Sequence, residues 1–438
     1  MIERYCTPAM TAIWSRQAKY ERWMQVEVAI CAEYARRGQI PEADFAAIRT
    51  GAGFELDRCD EIEKETRHDL MAFVRCMSEA VTHAAGLQPG EPQTPSRWIH
   101  FGVTSYDVID TALGMMLRDS VDVLIASATE LRAAIHGLSR QHAETPCIGR
   151  THGIHAEPIT FGFKLNGWVH ELDRTILRLK AAREEIAVGK VSGAVGIHAH
   201  VDPETEAAIC ASLGLKPDPS STQIVARDRH AHLLSVVAVM AGSLERFATE
   251  LRNLQRTEIL EVQEKFAAGQ TGSSAMPHKR NPWNSETVCG LARVIRGNAS
   301  AMLESVMTWH ERDLTNSSLE RIVFPDTFQL ADFMLRRLHK IVSGLVVMPE
   351  NMMRNLQQMG DLVFSEHVMV ALIRAGMSRE AAYKVAQRNA AKAWDGHDFK
   401  ASVYADEDVQ RLLSTAELDE IFSLEHHLRN AKSGIELA

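Results

Sequence analysis

The chain has 438 residues, of which 45% are hydrophobic and 24% charged, the composition of a globular protein with room for two or three domains. Its formal net charge of -9 argues against a general nucleic-acid or anionic-membrane binder, so an anionic ligand requires a local basic pocket. Seven widely spaced cysteines without a CxxC pair indicate buried thiols in a reducing compartment. The sequence has neither a secretory-signal pattern nor a run of about eighteen uncharged apolar residues, so we expect a cytoplasmic protein.

Helical periodicity dominates the chain. Apolar residues from Leu233 to Leu254 recur at alternating spacings of four and three, as in a coiled-coil seam. Similar patterns cover residues 111–142 and 161–186, and alternating strand-like runs are almost absent. A helix of thirty residues is about 45 Å long, more than one small domain needs to cover its core. The sequence therefore predicts an all-α fold whose long helices are buried by assembly with other subunits.

Turn-rich stretches interrupt this helical pattern at residues 86–96, 145–158, 214–223 and 267–282, with a short break near Pro325. The polar motifs gather in these stretches, where rigid helices can display catalytic groups. We place domain boundaries near residues 110 and 360. This gives an N-terminal helical domain (1–110), a central long-helix domain (111–360) and a C-terminal helical domain (361–438).

The most informative stretch is the loop at 272–282, GSSAMPHKRNP, which follows AAGQTG at 267–272. Two adjacent hydroxyls precede a histidine, a lysine and an arginine, and the glycines before them allow the loop to move. Such a loop can close over an anionic substrate and present a serine to it. A solvated basic surface loop is the alternative, because these residue types are common in exposed loops.

A second motif, GRTHGIHAEP at 149–158, places His152 and His155 three residues apart beside Glu157. A helical HxxH pair can chelate a metal, but the glycine and proline predict a turn and no third ligand lies at a recognisable spacing, so we predict no metal site. Histidine is also the commonest general acid or base at neutral pH. A structural histidine held in a turn is the alternative for His155.

Two further motifs, TRHD at 66–69 and HFGVTSYD at 100–107, stand beside helix starts. Thr104 or Ser105 either caps the following helix or uses its hydroxyl, with the free N–H groups there, to bind a carboxylate. Arg67 is a bidentate anion donor, although an ordinary salt bridge would use it equally well.

The last motif, WHERD at 309–313, is followed by serines and by Arg321, nine residues after Arg312. Two arginines with hydroxyls between them can capture a phosphate, and surface ion pairing is the alternative. Arg4 and Tyr5 near the amino end are open to the same two interpretations.

The loop at 272–282 resembles the signature of the fumarase and aspartase superfamily, whose members release fumarate from a succinyl skeleton. Within that superfamily, five elements are similar to the adenylosuccinate lyases: TRHD, HFGVTSYD, GRTHGIHAEP, STQ at 221–223, and WHERD with the serines and arginine up to 321. This resemblance covers nearly the whole chain. It implies a three-domain fumarase/aspartase-like fold, in which a long central helical bundle forms the core of a homotetramer and three subunits contribute to each active site.

The resemblance also implies a reaction and residue roles. Adenylosuccinate is cleaved to fumarate and AMP, and the carboxamide ribotide SAICAR to fumarate and AICAR, without a cofactor. Ser273 is the implied base at the succinyl carbon, His152 the acid for the leaving nitrogen, and His68 orients the substrate. The implied substrate-binding residues are Thr104, Ser105, Lys279 and Asn281 for the carboxylates, Gln223 for ring or amide-like atoms, Arg67 and Asp69 on the nucleotide side, Arg4, Tyr5, Arg312, Ser317 and Arg321 for the nucleotide and its phosphate, and His100.

Two alternatives stay open at this point. Another enzyme of the superfamily, such as a carboxymuconate cycloisomerase or an argininosuccinate lyase, would share the fold and the loop, although TRHD and the two arginines favour a nucleotide. A catalytically silent helical tetramer is the second alternative, and the presence of both Ser273 and His152 argues against it. One departure from the family pattern is the stretch 86–96, which is longer than usual before the HxGxTS element. We also interpret His198 and His200 as part of a turn after SGAVG, not as a metal pair.

Overall fold

The computed structural model of the chain describes residues 2–88, 90–266, 269 and 272–436. Helices make up most of this part of the chain. In order, the α-helices are α1 Pro8–Trp14, α2 Arg16–Arg36, α3 Glu42–Gly51, α4 Leu56–Thr66, α5 Asp69–Ala84, α6 Ser105–Gln141, α7 Phe161–Ile186, α8 Pro203–Ser212, α9 Asp228–Leu254, α10 Trp283–Glu304, α11 Thr315–Ser343, α12 Pro349–Gln357, α13 Ser365–Arg374, α14 Arg379–Trp394, α15 Phe399–Tyr404, α16 Glu407–Gln410, α17 Thr415–Ile421, α18 Leu424–Leu428 and α19 Ser433–Glu436. Short 3-10 helices cover Glu3–Tyr5, Pro95–Trp98 and Gly360–Phe364.

Strands in the described residues pair only two at a time. They are β1 Pro146–Thr151, β2 Ile154–Thr160, β3 Val188–Gly189, β4 Lys216–Pro217, β5 Val262–Gln263 and β6 Val346–Val347. β1 and β2 form an antiparallel hairpin, β3 and β4 a short parallel pair, and β5 and β6 a short antiparallel pair. The predicted all-α fold class is confirmed.

The predicted long helices are present. α7 has the predicted bounds, α6 begins six residues earlier than the pattern and ends one residue earlier, and α9 extends the predicted seam toward its amino end. The seam residues from Leu233 to Leu254 are buried, as their spacing requires. α9 is also the one helix in the described part of the chain that is long and apolar enough for a membrane span, and 61% of its most apolar window is buried within the protein, as in an ordinary core helix.

Two local predictions are wrong. In the stretch 145–158 the turn predicted from Gly153 is present at the tip of the β1–β2 hairpin, but the turn predicted from Pro158 is not, because Pro158 lies in β2. The predicted break at Pro325 is absent, since Pro325 lies inside α11. Proline removes one helical hydrogen bond, but the adjacent rings of Phe324 and Phe328 are buried and stack on Trp14 at 6.3 and 5.8 Å, so packing keeps the helix continuous.

The chain forms two compact units. Unit 1 consists of residues 1–128, 175–244 and 290–336, and unit 2 of residues 129–174, 245–289 and 337–438. The domain boundaries proposed near residues 110 and 360 stay predictions. All seven cysteines are free thiols, and six are buried, whereas Cys6 is only half-buried.

Each unit has its own apolar core. In unit 1, helices α2 to α5 pack around Tyr20, Trp23 and Phe73, whose rings contact one another at 4.8 to 5.7 Å. In unit 2, Ile148 of β1 joins a cluster formed by the C-terminal helices, so the base of the hairpin packs directly on them. By their residue ranges, the motifs at 66–69, 100–107 and 309–321 belong to unit 1, and those at 149–158 and 272–282 belong to unit 2.

Candidate active site

Unit 1 contains a cavity of about 340 Å³ that brings separate sequence motifs together. A volume of this size is sufficient for a small ligand. Seven of the predicted site residues line it, from three motifs that are up to 254 positions apart: Arg67, His68, Asp69, Ser105, Arg312, Ser317 and Arg321.

The TRHD motif forms the tight connection between α4 and α5. Arg67 ends α4 in a left-handed conformation with φ 52°, and its guanidinium makes no ion pair within the described residues. His68 caps α5, and its Nδ1 accepts the backbone N–H of Met71. Asp69 is almost fully buried and forms an ion pair with Arg321 at 2.8 Å. Thus Asp69 positions the more exposed Arg321 at the cavity wall, and Arg67 is available to an anion.

The start of α6 is organised by a buried acid, Asp107. One carboxylate oxygen of Asp107 accepts the backbone N–H of Thr104 at 2.8 Å. Its other oxygen accepts Nζ of the fully buried Lys190 and the backbone N–H of Ser192. The hydroxyls of Thr104 and Ser105 make no hydrogen bond within the described part of the chain, so the capping role proposed for them falls to Asp107 instead. Both hydroxyls stay available at a helix N-terminus, where anions are favoured.

Gln223, Arg312 and Tyr106 form a connected group. Oε1 of Gln223 accepts Nη1 of Arg312 at 2.8 Å, and Nε2 of Gln223 donates to the carbonyl of Ala194 at 3.0 Å. The guanidinium carbon of Arg312 lies 3.4 Å from the ring centroid of Tyr106, within cation–π range. Tyr106 is buried and lines the cavity, yet it is not among the predicted site residues. Its place directly after the hydroxyl pair in HFGVTSYD is the signal that could have identified it.

His100 is held by a buried acid. Its Nδ1 lies 2.7 Å from Oε1 of Glu27, and its backbone N–H donates to the other oxygen of the same carboxylate at 2.9 Å. Burial by itself lowers the pKa of His100, but the hydrogen bond and charge of Glu27 outweigh burial, so the pKa of His100 is raised. Sequence reasoning missed Glu27, which lies in none of the motifs. Its contact with His100 joins positions 73 residues apart, so no local pattern indicates it.

Arg4 and Tyr5 lie in the first 3-10 helix and outside the cavity. The ring of Tyr5 contacts Phe333 of α11 edge-on at 5.2 Å, and Arg4 is exposed.

In unit 2, His152 occupies the tip of the β1–β2 hairpin. Its φ of 55° and that of the following Gly153, 78°, are both left-handed, as a tight hairpin turn requires. His152 is exposed at this tip. A left-handed conformation is uncommon for a residue with a side chain, and such strain often marks functional positions.

The hairpin is anchored close to this tip. Arg150 makes two hydrogen bonds, of 2.6 and 3.2 Å, to the buried carboxylate of Glu261, which also accepts Nδ2 of Asn355 at 2.9 Å. His155 lies opposite Arg150 in the ladder, and burial followed by the charge of Arg150 lowers the pKa of His155. These contacts fix the strand that leads directly into His152.

The signature loop presents Ser273 with its oxygen already hydrogen bonded. Oγ of Ser273 accepts the backbone N–H groups of Ala275 and Met276 at 3.3 and 3.1 Å. Two N–H donors on one oxygen favour its deprotonated form, because they stabilise negative charge. The preceding residues 267, 268, 270 and 271, part of the predicted mobile stretch, lie outside the described residues.

The end of the loop is closed by Asn281. Nδ2 of Asn281 donates to the carbonyl of Gly272 at 2.9 Å, which joins the two ends of the loop. A Cβ on Gly272 would lie 2.2 Å from the carbonyl oxygen of Lys279, so only glycine allows this approach. The Lys279 side chain is exposed and available to an anionic ligand.

Comparison with known proteins places the chain in a family. A family model described as lyase matches residues 3–297, and one described as adenylosuccinate lyase C-terminus matches residues 361–436. The chain is 49% identical to the adenylosuccinate lyase of Synechocystis sp. and 44% identical to that of Bacillus subtilis, over 98% of this chain and 98% and 97% of those proteins.

Solved structures agree at the level of fold. A fumarate lyase from Mesorhizobium sp. matches with a TM-score of 0.88 and 26% identity, over 100% of this chain and 99% of that one. A 3-carboxy-cis,cis-muconate lactonizing enzyme from Pseudomonas putida matches with a TM-score of 0.87 and 29% identity, over 99% and 96%. The predicted resemblance is confirmed, and the chain belongs to the adenylosuccinate lyase family of lyases.

Proposed function

We propose that this lyase cleaves adenylosuccinate to AMP and fumarate, and SAICAR to AICAR and fumarate, by β-elimination. The observation that carries the proposal is the loop at Ser273, whose Oγ accepts two backbone N–H groups. The 44–49% identity to adenylosuccinate lyases, against 29% to the muconate lactonizing enzyme, favours this substrate pair over the cycloisomerase alternative.

Ser273 is the proposed base. The two N–H donors lower the free energy of its alkoxide, which removes the proton from the succinyl carbon β to the leaving nitrogen. The carbanion that forms delocalises into a carboxylate. Lys279 and Asn281 on the loop, with the hydroxyls of Thr104 and Ser105, are the proposed ligands of the substrate carboxylates, and their contacts strengthen as the charge grows.

His152 is the proposed acid that protonates the leaving nitrogen, and His68 the residue that orients the substrate. Their local structures support these roles, because His152 stands exposed on an anchored hairpin tip and His68 lines the unit 1 cavity. With the C–N bond broken and the nitrogen protonated, fumarate and the purine nucleotide are the two products.

The unit 1 cavity is the proposed nucleotide site. Positive charge for the phosphate comes from Arg67, which makes no ion pair in the part of the chain that the structure describes, from Arg321, which pairs with Asp69, and from Arg312, which lies over Tyr106. Ser317 adds a hydroxyl. Arg4 and Tyr5, which lie outside this cavity, are proposed ligands of the nucleotide and its phosphate. Gln223 is a proposed ligand for ring or amide-like atoms, and His100 a proposed substrate ligand.

We further propose a cytoplasmic homotetramer whose active sites each combine three subunits. The long helices carry exposed apolar side chains that water disfavours, including Leu177 on α7, Val239 on α9, Val294 and Leu303 on α10, and Ile322 on α11, each between 45% and 65% exposed. Self-association along these helices covers such side chains.

The direct test is ultraviolet absorbance of the purified protein with adenylosuccinate or SAICAR, together with assay of fumarate. We expect both substrates to be cleaved. If the folded protein turns over neither substrate, the proposal is rejected. Another substrate of the superfamily, or the catalytically silent helical tetramer, is then favoured.

Shared sites have their own test. Ser273→Ala and His152→Ala should each be nearly inactive, and mixing the two variants under subunit exchange should restore part of the activity, because some sites then receive both wild-type residues. If nothing is restored while exchange is demonstrated with labelled subunits, the shared-site arrangement is wrong.

A further inference from the structure

A cluster of histidines and glutamates in unit 2 plays no part in the chemistry proposed above. It lines a cavity of about 650 Å³ between the end of β2 and helices α13, α17 and α18. The cluster contains Glu157 of the hairpin, Glu366 and His367 of α13, and His427 of α18. Its members are connected in a chain of polar contacts that ends on the backbone of the hairpin.

The contact that reaches the hairpin is made by His427. Its Nε2 lies 2.8 Å from the carbonyl oxygen of Pro158 in β2. A carbonyl oxygen only accepts, so Nε2 of His427 carries the proton and donates it. Nδ1 of His427 lies 2.8 Å from Nε2 of His367, and in the neutral pair Nδ1 is the acceptor and His367 the donor. His367 therefore fixes the tautomer that His427 needs.

The far side of His367 faces Glu157 without a hydrogen bond. Its Nδ1 is shielded from solvent, has no hydrogen-bond partner in the described residues, and lies 3.8 Å from a carboxylate oxygen of Glu157. Burial, followed by the neighbouring carboxyl group of Glu366, raises the pKa of Glu157. Burial, followed by the proximity of His427, lowers the pKa of His367, and Glu366, His426 and Arg429 are also close enough to affect it.

Pro158 is a position where the hairpin needs outside support. Proline has no N–H to donate to a strand partner, and the ladder is irregular between Ile148 and Arg150, opposite the residues that precede Pro158. The hydrogen bond from His427 thus holds β2 where its own ladder is weak. The other strand is held by the two hydrogen bonds between Arg150 and Glu261.

We propose that His427 is a positioning residue for the reaction: through Pro158 it holds the hairpin that carries His152, and His367 keeps it in the donating tautomer. This inference rests on the proposed function, because it assigns importance to the orientation of His152. A small displacement of a catalytic group can lower a rate by one to two orders of magnitude without weakening substrate binding.

The variants that test the proposal separate hydrogen bonding from ring packing. His427→Phe keeps an aromatic ring beside Phe364 but donates nothing, whereas His427→Gln retains an N–H at about the position of Nε2. The matched control is His426→Gln, one residue away, where the native side chain pairs with Glu420 at 2.7 Å and makes neither a hydrogen bond nor an ion pair to the described residues of the hairpin.

Hydrogen–deuterium exchange of the peptide 146–160, without substrate, measures how often the hairpin opens locally. We expect exchange about fivefold faster in His427→Phe, the effect of losing one ordinary hydrogen bond, and native exchange in the Gln variant and the control. In the lyase assay, kcat of His427→Phe should fall about tenfold with KM within about twofold, and the Gln variant should recover most of kcat.

Three outcomes would overturn the proposal: native exchange in His427→Phe, an equal loss in His427→Gln, or a loss that appears in KM instead of kcat. If His427→Phe does not fold, His367→Leu and His367→Gln replace the pair, because only the latter can still donate to Nδ1 of His427. An inactive wild-type chain would reject the proposed function alone, since the exchange experiment still decides whether His427 holds the hairpin.

Discussion

Oγ of Ser273 accepts the backbone N–H of Met276 at 3.1 Å, and the same oxygen accepts the N–H of Ala275. The neighbouring Ser274 is exposed and makes no such contact in the described residues, so the two serines of the motif differ in environment despite their identical chemistry. We predict that Ser273→Ala lowers kcat for adenylosuccinate about 10³-fold, the size of effect expected for loss of a general base. Ser274→Ala, assayed by the same fumarate release, should stay within about threefold of wild type. Equal effects of the two substitutions would contradict the assignment.

We expect a substitution in the buried triad of Asp110, Arg227 and Glu320 to lower the free energy of unfolding strongly. Arg227 makes hydrogen bonds of 2.7 to 3.1 Å to both carboxylates, and burial of all three side chains is nearly complete. Arg227→Met leaves two uncompensated buried acids, which should lower the free energy of unfolding by about 3–5 kcal/mol. Urea denaturation at fixed protein concentration measures this change.

The control for the triad is the exposed bidentate pair of Arg183 and Asp122, with distances of 2.6 and 3.1 Å. Arg183→Met should lower the free energy of unfolding by less than about 1 kcal/mol, because solvent screens the pair. A loss for Arg227→Met no larger than this control would mean that the triad is not a principal source of stability.

Asp406 predicts a dependence of stability on pH. Burial by itself raises the pKa of Asp406, but hydrogen bonds from Arg388 and Asn389 outweigh it and hold the pKa at about 2, below the ordinary value of 3.8. A carboxyl group whose pKa is depressed by folding stabilises the protein above the unfolded value and loses that contribution as pH falls through the folded value. The window is therefore about pH 4 to 2.

The test of this window is Asp406→Asn. At pH 7 the variant should be less stable than wild type by roughly 1–2 kcal/mol. The difference between the folded and unfolded pKa of Asp406 sets the upper size of this effect, and solvent screening at the partly exposed Arg388 reduces it. The difference in stability should shrink as pH falls toward 2, because the wild-type carboxylate is then protonated. Urea midpoints at pH 7, 5, 3 and 2 give the profile, and a difference that is constant over this range would exclude the proposed coupling.

The exposed apolar residues of the long helices predict how the chain assembles. Val239 lies at the middle of α9 and is 50% exposed, and a charge there should oppose burial in a subunit interface. We expect Val239→Asp to sediment as species smaller than wild type, which is the proposed tetramer, with unchanged helical circular dichroism. Tyr383→Asp, on the short helix α14, should remain tetrameric although Tyr383 is 56% exposed. Dissociation by Tyr383→Asp and not by Val239→Asp would place the interface elsewhere.

Much of the fold could be predicted from local pattern. The spacing of leucines and other apolar residues along α7 and α9 decides which face is buried, and the bounds of α7 follow from it directly. Signals that depend on single residues were less reliable. Gly153 does lie in the predicted turn, but Pro158 belongs to a strand, and Pro325 predicted a break but lies in a helix, because long-range packing outweighs the preference of one residue.

By itself, the sequence determined the helical class, the family and the motifs proposed to supply the chemistry, since these depend on residue type and on spacing along the chain. Only the tertiary structure decided which partner each motif residue has. The ion pair of Asp69 with Arg321 joins positions 252 residues apart, and the hydrogen bond of His427 to Pro158 joins positions 269 residues apart. Such contacts leave no periodic signal in the chain, because they arise only when distant helices and strands pack together and buried polar groups must find partners.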